Sequence, residues 1–115
     1  MSIDYLGTDK SFSEATIHDG TVYLAPRVAA NFPATAGEQT RQILAEIDAC
    51  LERCGTSKRK LLSATIYCAD ARLFSEVDAI WDAWVPWHDP PALSQLVAKL
   101  PSARCRVAIQ VVAGL

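Results

Sequence analysis

The sequence predicts an α+β fold, a mixed sheet that carries two helices on one face. Three patterns carry that prediction. A turn dipeptide between β-branched runs lies in EATIHDGTVYLAP, from Glu14 to Pro26. Two segments place apolar residues at helical spacing, and three others alternate with the period of a strand. Along the chain the order reads β-hairpin, helix, strand, helix, strand, strand.

The hairpin turns at Asp19-Gly20. That pair suits a two-residue type I′ turn, whose central residues both need positive φ. Ala15 and Ile17 alternate with Thr16 and His18 on one side, and Val22 and Leu24 with Thr21 and Tyr23 on the other. One face of the hairpin is therefore buried. RVAANFPATAGEQ, from Arg27 to Gln39, breaks the pattern and reads as a connecting loop. Thr35-x-x-Glu38 fits a capping box, in which Thr35 accepts from a free backbone N–H and Glu38 reaches back. A helix follows to about Cys54, with Ile43, Leu44, Ile47, Leu51 and Cys54 in one stripe. Gly55 is its C-terminal stop. Arg41, Glu46, Asp48, Glu52 and Arg53 cover much of its wet side.

LLSATIYCAD reads as a strand, with Leu62, Ala64, Ile66 and Cys68 on one side and Ser63, Thr65 and Tyr67 on the other. Asp70 is placed to cap the second helix, which runs to about Val85 on a stripe of Leu73, Phe74, Val77, Ile80, Trp81 and Trp84. Trp81, Trp84 and Trp87 together predict a large buried area at this helix end, in the core or at a subunit contact. Pro86 stops the helix. The last strands are Ala92 to Lys99 and Arg104 to Val112. With both helices on one face, the sheet's other face keeps Val and Ile that nothing in the chain covers, and a subunit partner would bury them.

At 115 residues, half of them hydrophobic, the chain has the size of one domain and material for a proper core. Its start, MSIDYLGTDK, is polar and predicts no secretion signal. No apolar run approaches the roughly 20 residues of a membrane helix, so a cytoplasmic protein with no membrane partner is expected. The net charge of −2 argues against a general nucleic-acid binder. KRK, Lys58 to Lys60, reads as a solvated loop. Cys50 and Cys54 share a helix face, while Cys68 and Cys105 lie in strand-like runs. There is no second short-spaced pair, and His18 and His88 are isolated, so the zinc patterns are missing. Buried thiols in a reducing compartment are expected instead.

EQTRQILAEIDACLERCG, LLSATIYCADARLFSEVDAIWDAWV, PPALSQLVAKLP and VAIQVVA, in that order and spacing, resemble the RidA/YjgF family, also called L-PSP or enamine/imine deaminase proteins. The resemblance covers about Phe12 to Ala113. ATIY with DAIWDAWV is most similar to the small YoaB-like subgroup. The resemblance implies that residues 1–115 form one domain with a chorismate-mutase-like fold. It also implies a homotrimer whose sheets pack into a central barrel, with ligand clefts between neighbouring subunits. Active members hydrolyse enamines and imines derived from amino acids, releasing ammonia and a 2-oxo acid, and need no metal or cofactor.

By the same resemblance the cleft is lined by Phe12, Ala25, Pro26, Arg27, Asp78, Leu93, Gln95 and Ala108, and most of these depart from the family's pattern. Active members have an arginine after Pro-Ala at the start of the penultimate strand. A planar guanidinium there pairs the substrate carboxylate through two hydrogen bonds. Water then attacks the C=N carbon while an acidic side chain relays the proton. In this chain the motif is Pro91-Ala92-Leu93-Ser94, and leucine binds no carboxylate. Ser-Gly or Thr-Gly after the hairpin is replaced by Ala25-Pro26, a tyrosine by Phe12, a cysteine by Gln95 and a glutamate by Ala108. An asparagine of the second helix is Asp78, expected to contact only solvent. Arg27 is the best substitute cation; Arg104 and Arg106 are further ones.

The expected function is therefore a trimer that binds or acts on a different, more apolar small metabolite, with no catalytic residue assigned. Alternatives are a cofactor-independent imine hydrolase that uses other residues and a structural or partner-binding trimer. RNA cleavage, attributed to some relatives, finds no His pair, acidic metal site or basic groove here.

Overall fold

Asp19 and Gly20 take φ of 52° and 80°. This is the type I′ geometry that closes two right-twisted strands in two residues. They join β2 (Ala15–His18) to β3 (Thr21–Leu24), with Ala15 opposite Leu24 and Ile17 opposite Val22. The structure, a computed structural model, describes residues 2–32 and 35–115. The expected loop from Arg27 to Gln39 is seen over residues 27–32 and at Thr35, while residues 36–39 already belong to a helix; residues 33 and 34, like Met1, lie outside the described residues. A short strand absent from the sequence reading, β1 (Asp4–Leu6), pairs antiparallel with β2. Three residues are too few to show an alternation.

α1 (Ala36–Arg53) starts where the Thr35 side chain accepts from the Glu38 N–H. The Glu38 carboxylate does not reach back as expected; it pairs with Arg41 at 3.0 Å. The orphan N–H of Gly37 is instead met by Glu76 from the other helix, at 2.8 Å, which puts a negative charge at the positive end of α1. At the far end Gly55, at φ +83°, lets the Thr56 N–H return to Leu51 and its own to Glu52, a Schellman cap. Ile43, Leu44, Ile47 and Leu51 are all buried, each contributing about 2 kcal/mol of transfer free energy.

A 3₁₀ turn at Ala71–Leu73, capped by Asp70, leads into α2 (Phe74–Trp84). Asp70 thus caps the turn rather than the α-helix itself. Arg72 donates to its carboxylate and holds it at a pKa of about 2. Val77 and Trp81 are buried, and Leu73, Phe74, Ile80 and Trp84 pack against the same core. The Trp84 Nε1–H donates to Asp48 at 3.0 Å, and Lys58 lies 5.0 Å over its ring. Trp87 does not join the core of the single chain. It is 87% exposed because the chain has already turned away after Val85.

β4 (Leu61–Cys68), β5 (Ala92–Val97) and β6 (Val107–Gly114) complete a six-stranded sheet of order β1-β2-β3-β6-β4-β5. β5 runs parallel to β4 and forms one edge; every other pair is antiparallel. Both last strands are shorter or later than expected. A bulge between Leu61 and Ser63 buries Leu61 and leaves Leu62 53% exposed, reversing the assignment of Leu62 to the core. From Ala64 onward the predicted alternation is seen. Ile17, Ile66 and Ile109 all lie on the helix side. The open face consequently carries Thr16, Tyr23, Thr65, Tyr67, Ala108, Gln110 and Val112. It is mixed rather than the Val/Ile surface expected. No described helix is long and apolar enough to cross a membrane.

Candidate functional site

The end of β3 builds the first half-site. Phe12, Glu14, Ala25, Pro26, Arg27 and Val28 line a cavity of about 170 Å³. Its backbone is already engaged. The Ala25 N–H donates to the Glu14 carbonyl, and Arg27 exchanges both backbone hydrogen bonds with Ile109 of β6. Pro26 has no N–H. None of these three residues has a backbone donor left for a ligand.

Arg27 is the cation of this cavity, and its own protein holds it. Nη1 donates to Glu46 Oε2 of α1 at 3.2 Å, and Nη2 stands 3.6 Å from Glu14 Oε1. Arg53 reaches the other oxygen of Glu14 at 3.5 Å. Two guanidinium groups thus face two carboxylates, with no net charge left over. Gly7 makes room for this cluster. At φ +60° it carries no side chain where a Cβ would come 2.5 Å from the Glu14 carboxylate. Among the described residues Arg27 Nη2 is buried and makes no hydrogen bond, so Glu46 takes one arm of the guanidinium and Glu14 faces the other only as an ion pair. Arg104 lies 5.9 Å over the Phe32 ring.

The second group of nominated residues lies at the β5 edge. Leu93, Gln95 and Val97 pair with Ala64, Ile66 and Cys68 of β4, so they share the helix-bearing face. Leu93 is 43% exposed. All six residues of β5 are exposed, an unusual state for a strand reading Ala-Leu-Ser-Gln-Leu-Val. Gln95 donates its side-chain N–H to Asp78 of α2. Asp78 therefore does more than meet solvent, correcting that expectation; one helical position brings it over the strand. Among the described residues Asp78 makes no ion pair. Burial, and secondarily the Asp78 charge, pushes the Cys68 thiol up to about 11, so it is neutral at ordinary pH and no activated nucleophile.

Ala108 stands apart from both. It pairs with Tyr67 on the open face and is nearly buried. In one chain the eight nominated residues therefore fall in three places. Phe12, Ala25, Pro26 and Arg27 come together, as do Asp78, Leu93 and Gln95, while Ala108 joins neither group.

The four cysteines are free and buried. Among the described residues no group of three or more His, Cys, Asp or Glu could hold a metal ion. Sequence reasoning missed Glu14, which sets the charge of the first cavity, and Gln39. The Gln39 side chain is buried; it donates to the Arg104 carbonyl at 3.0 Å and accepts from the Arg106 N–H at 2.9 Å. That clamp fixes the loop before β6, and hence the position of Ala108. Gln39 lies four residues before Ile43 on the buried stripe of α1, and a polar side chain at that position of an apolar stripe is the signal that could have found it.

The Endoribonuclease L-PSP family model matches residues 3–115. The chain is 36% identical to the RutC family protein YoaB of Escherichia coli K12 over 115 residues, the whole of both. A RutC family protein of Haemophilus influenzae is 32% identical over 114 residues, 98% of each chain. A member of the YjgF protein family from Neisseria meningitidis has the same fold with a TM-score of 0.96, at 38% identity over 99% of this chain and 95% of that one. Matched from near its first residue to its last, with six strands and two helices in the shared arrangement, this chain belongs to the RidA/YjgF family, the Endoribonuclease L-PSP family of the matching model.

Proposed function

We propose that the chain, as one domain over residues 1–115, forms a cytoplasmic homotrimer with small-molecule clefts between subunits, and that it is not a competent imine deaminase. In each cleft the Phe12–Arg27 cavity of one copy meets the β5 edge of the next. Two features of the fold support assembly: an exposed, largely apolar edge strand, and half-sites that lie apart in one chain. Covering β5 also removes an aggregation hazard.

The observation that carries the functional reading is that, among the described residues of its own chain, Leu93 has no cation beside it. Leu93 takes the seat of the family's carboxylate-binding arginine, its neighbours are Gln95 and Asp78, and Arg27 is already paired with Glu14 and Glu46. Losing such an arginine–carboxylate pair costs several kcal/mol of affinity. The lining of Phe12, Pro26 and Leu93 favours a more apolar metabolite than an amino-acid imine. The name of the Endoribonuclease L-PSP family gives RNA cleavage as a second reading. Among the described residues no acidic metal group is present to support it, and Lys58 of the basic run is engaged with Trp84.

The test is the Leu93→Arg variant in a thermal-shift screen against small carboxylates and against aromatic and apolar metabolites. The wild-type protein is expected to be stabilised by a member of the second group only, and the variant to gain stabilisation by carboxylates. Stabilisation of the wild-type protein by 2-oxo or amino acids would contradict the reading.

A further inference from the structure

At the β5 edge one negative charge stands without a counter-charge. Asp78 is half-buried on α2 and, among the described residues, makes no ion pair. Its hydrogen-bond partner is the neutral Gln95 amide. A carboxylate only accepts hydrogen bonds, so Gln95 must present its NH₂ to Asp78. The pair then shows a ligand a full negative charge and the Gln95 Oε1 acceptor, against one remaining N–H.

Among the described residues of the same chain, the groups around Asp78 add no free positive charge. Asp82 lies one turn further along the same helix face. Glu76 on the same helix is occupied by the Gly37 N–H. Arg72 is bound to Asp70 at 2.8 Å. Cys68 beneath stays a neutral thiol. Beside the acid, Leu93 and Val97 form an apolar strip on the same face of β5, 43% and 57% exposed.

We propose that Asp78 and Gln95 are the polar end of this cleft and take an ammonium head group, a small primary or secondary amine whose apolar body lies along Leu93 and Val97. Asp78 supplies the charge-assisted hydrogen bond, and Gln95 Oε1 accepts a second N–H of the ligand. A carboxylate in the same place meets like charge and is rejected. This rests on the reading of the Leu93 region as a ligand cleft and adds the sign of the ligand's charge.

The experiment uses the assembled protein and two probes of matched size, 2-phenylethylamine and 3-phenylpropanoate. Amide chemical shifts of ¹⁵N-labelled protein report where each binds. The amine is expected to shift the amides of Asp78, Leu93 and Gln95, and the acid to leave them unmoved. Asp78→Asn, of unchanged shape, is expected to weaken the amine about tenfold or more. The comparison of the two probes on the wild-type protein stands even if that variant fails to fold. If the acid shifts these amides and the amine does not, the amine assignment falls while the cleft survives. If neither probe shifts them, both fall. If Asp78→Asn binds the amine as tightly as the wild-type protein does, Asp78 is not the anchor and the proposal is overturned.

Discussion

Arg27 at the end of β3 and Asp78 on α2 are both charged, both partly buried and both nominated as cleft-lining, yet they stand in opposite situations. Arg27 has Glu14 and Glu46 within 3.6 Å, and Arg53 balances the second oxygen of Glu14. Asp78 has a neutral amide and, among the described residues, no ion pair. A charge already answered by its own chain is a structural element. A charge left facing a cleft is where a ligand gains by arriving, because it brings the missing partner. The residue type alone would have ranked them the other way, since a guanidinium is the usual seat of a carboxylate.

The largest expected effect breaks the first side of that comparison. Arg27→Ala leaves Glu14 and Glu46 without their shared cation, and should cost about 2 kcal/mol in urea denaturation, lowered from the fully buried case because both carboxylates are part-exposed. An unchanged midpoint would show that the cluster is solvated and Arg27 is free after all. Gly7→Ala should follow at about 1–2 kcal/mol. A methyl group there is strained at φ +60° and strikes the Glu14 carboxylate.

A pH measurement sharpens the second side. Burial and then Asp78 raise the folded-state pKa of Cys68 from 9.0 to about 11. Above pH 9.0 the unfolded chain gives up this proton before the folded one does. Stability should therefore decline from there to about pH 11, and this contribution is constant below pH 9.0. Cys68→Ala should remove that part of the decline. Asp78→Asn should shift its upper end downward, since one raising cause is gone. The smallest effect is expected at Leu93. Leu93→Arg should change stability by no more than about 0.5 kcal/mol, because the side chain stands exposed on an edge strand.

How legible the fold was follows from period and punctuation. Asp19-Gly20, Thr35, Gly55 and the Ile43–Leu51 stripe each specify their conformation locally, and each is found as read. Leu62 was misplaced because a bulge adds one residue to β4 and resets the alternation, which no count along a strand reveals. Bulk marks Trp87 for burial in the core or against another subunit, and the single chain excludes only the first, because it leaves the helix after Val85. β1 was too short to register. The site was less legible. The position of Leu93 could be read from Pro91-Ala92, but the state of Arg27 depends on Glu14 and Glu46, 13 and 19 residues away. The Asp78–Gln95 contact crosses from helix to strand over 17 residues. Pairings at such separations are products of the tertiary fold.

The most direct test of the central claim is turnover of 2-aminoacrylate, generated in situ and followed by loss of its absorbance, with the wild-type protein at high concentration. The account predicts a rate equal to that without protein, because the cleft has no cation for the substrate carboxylate. A protein-dependent acceleration that is proportional to concentration and lost in Arg27→Ala would contradict it.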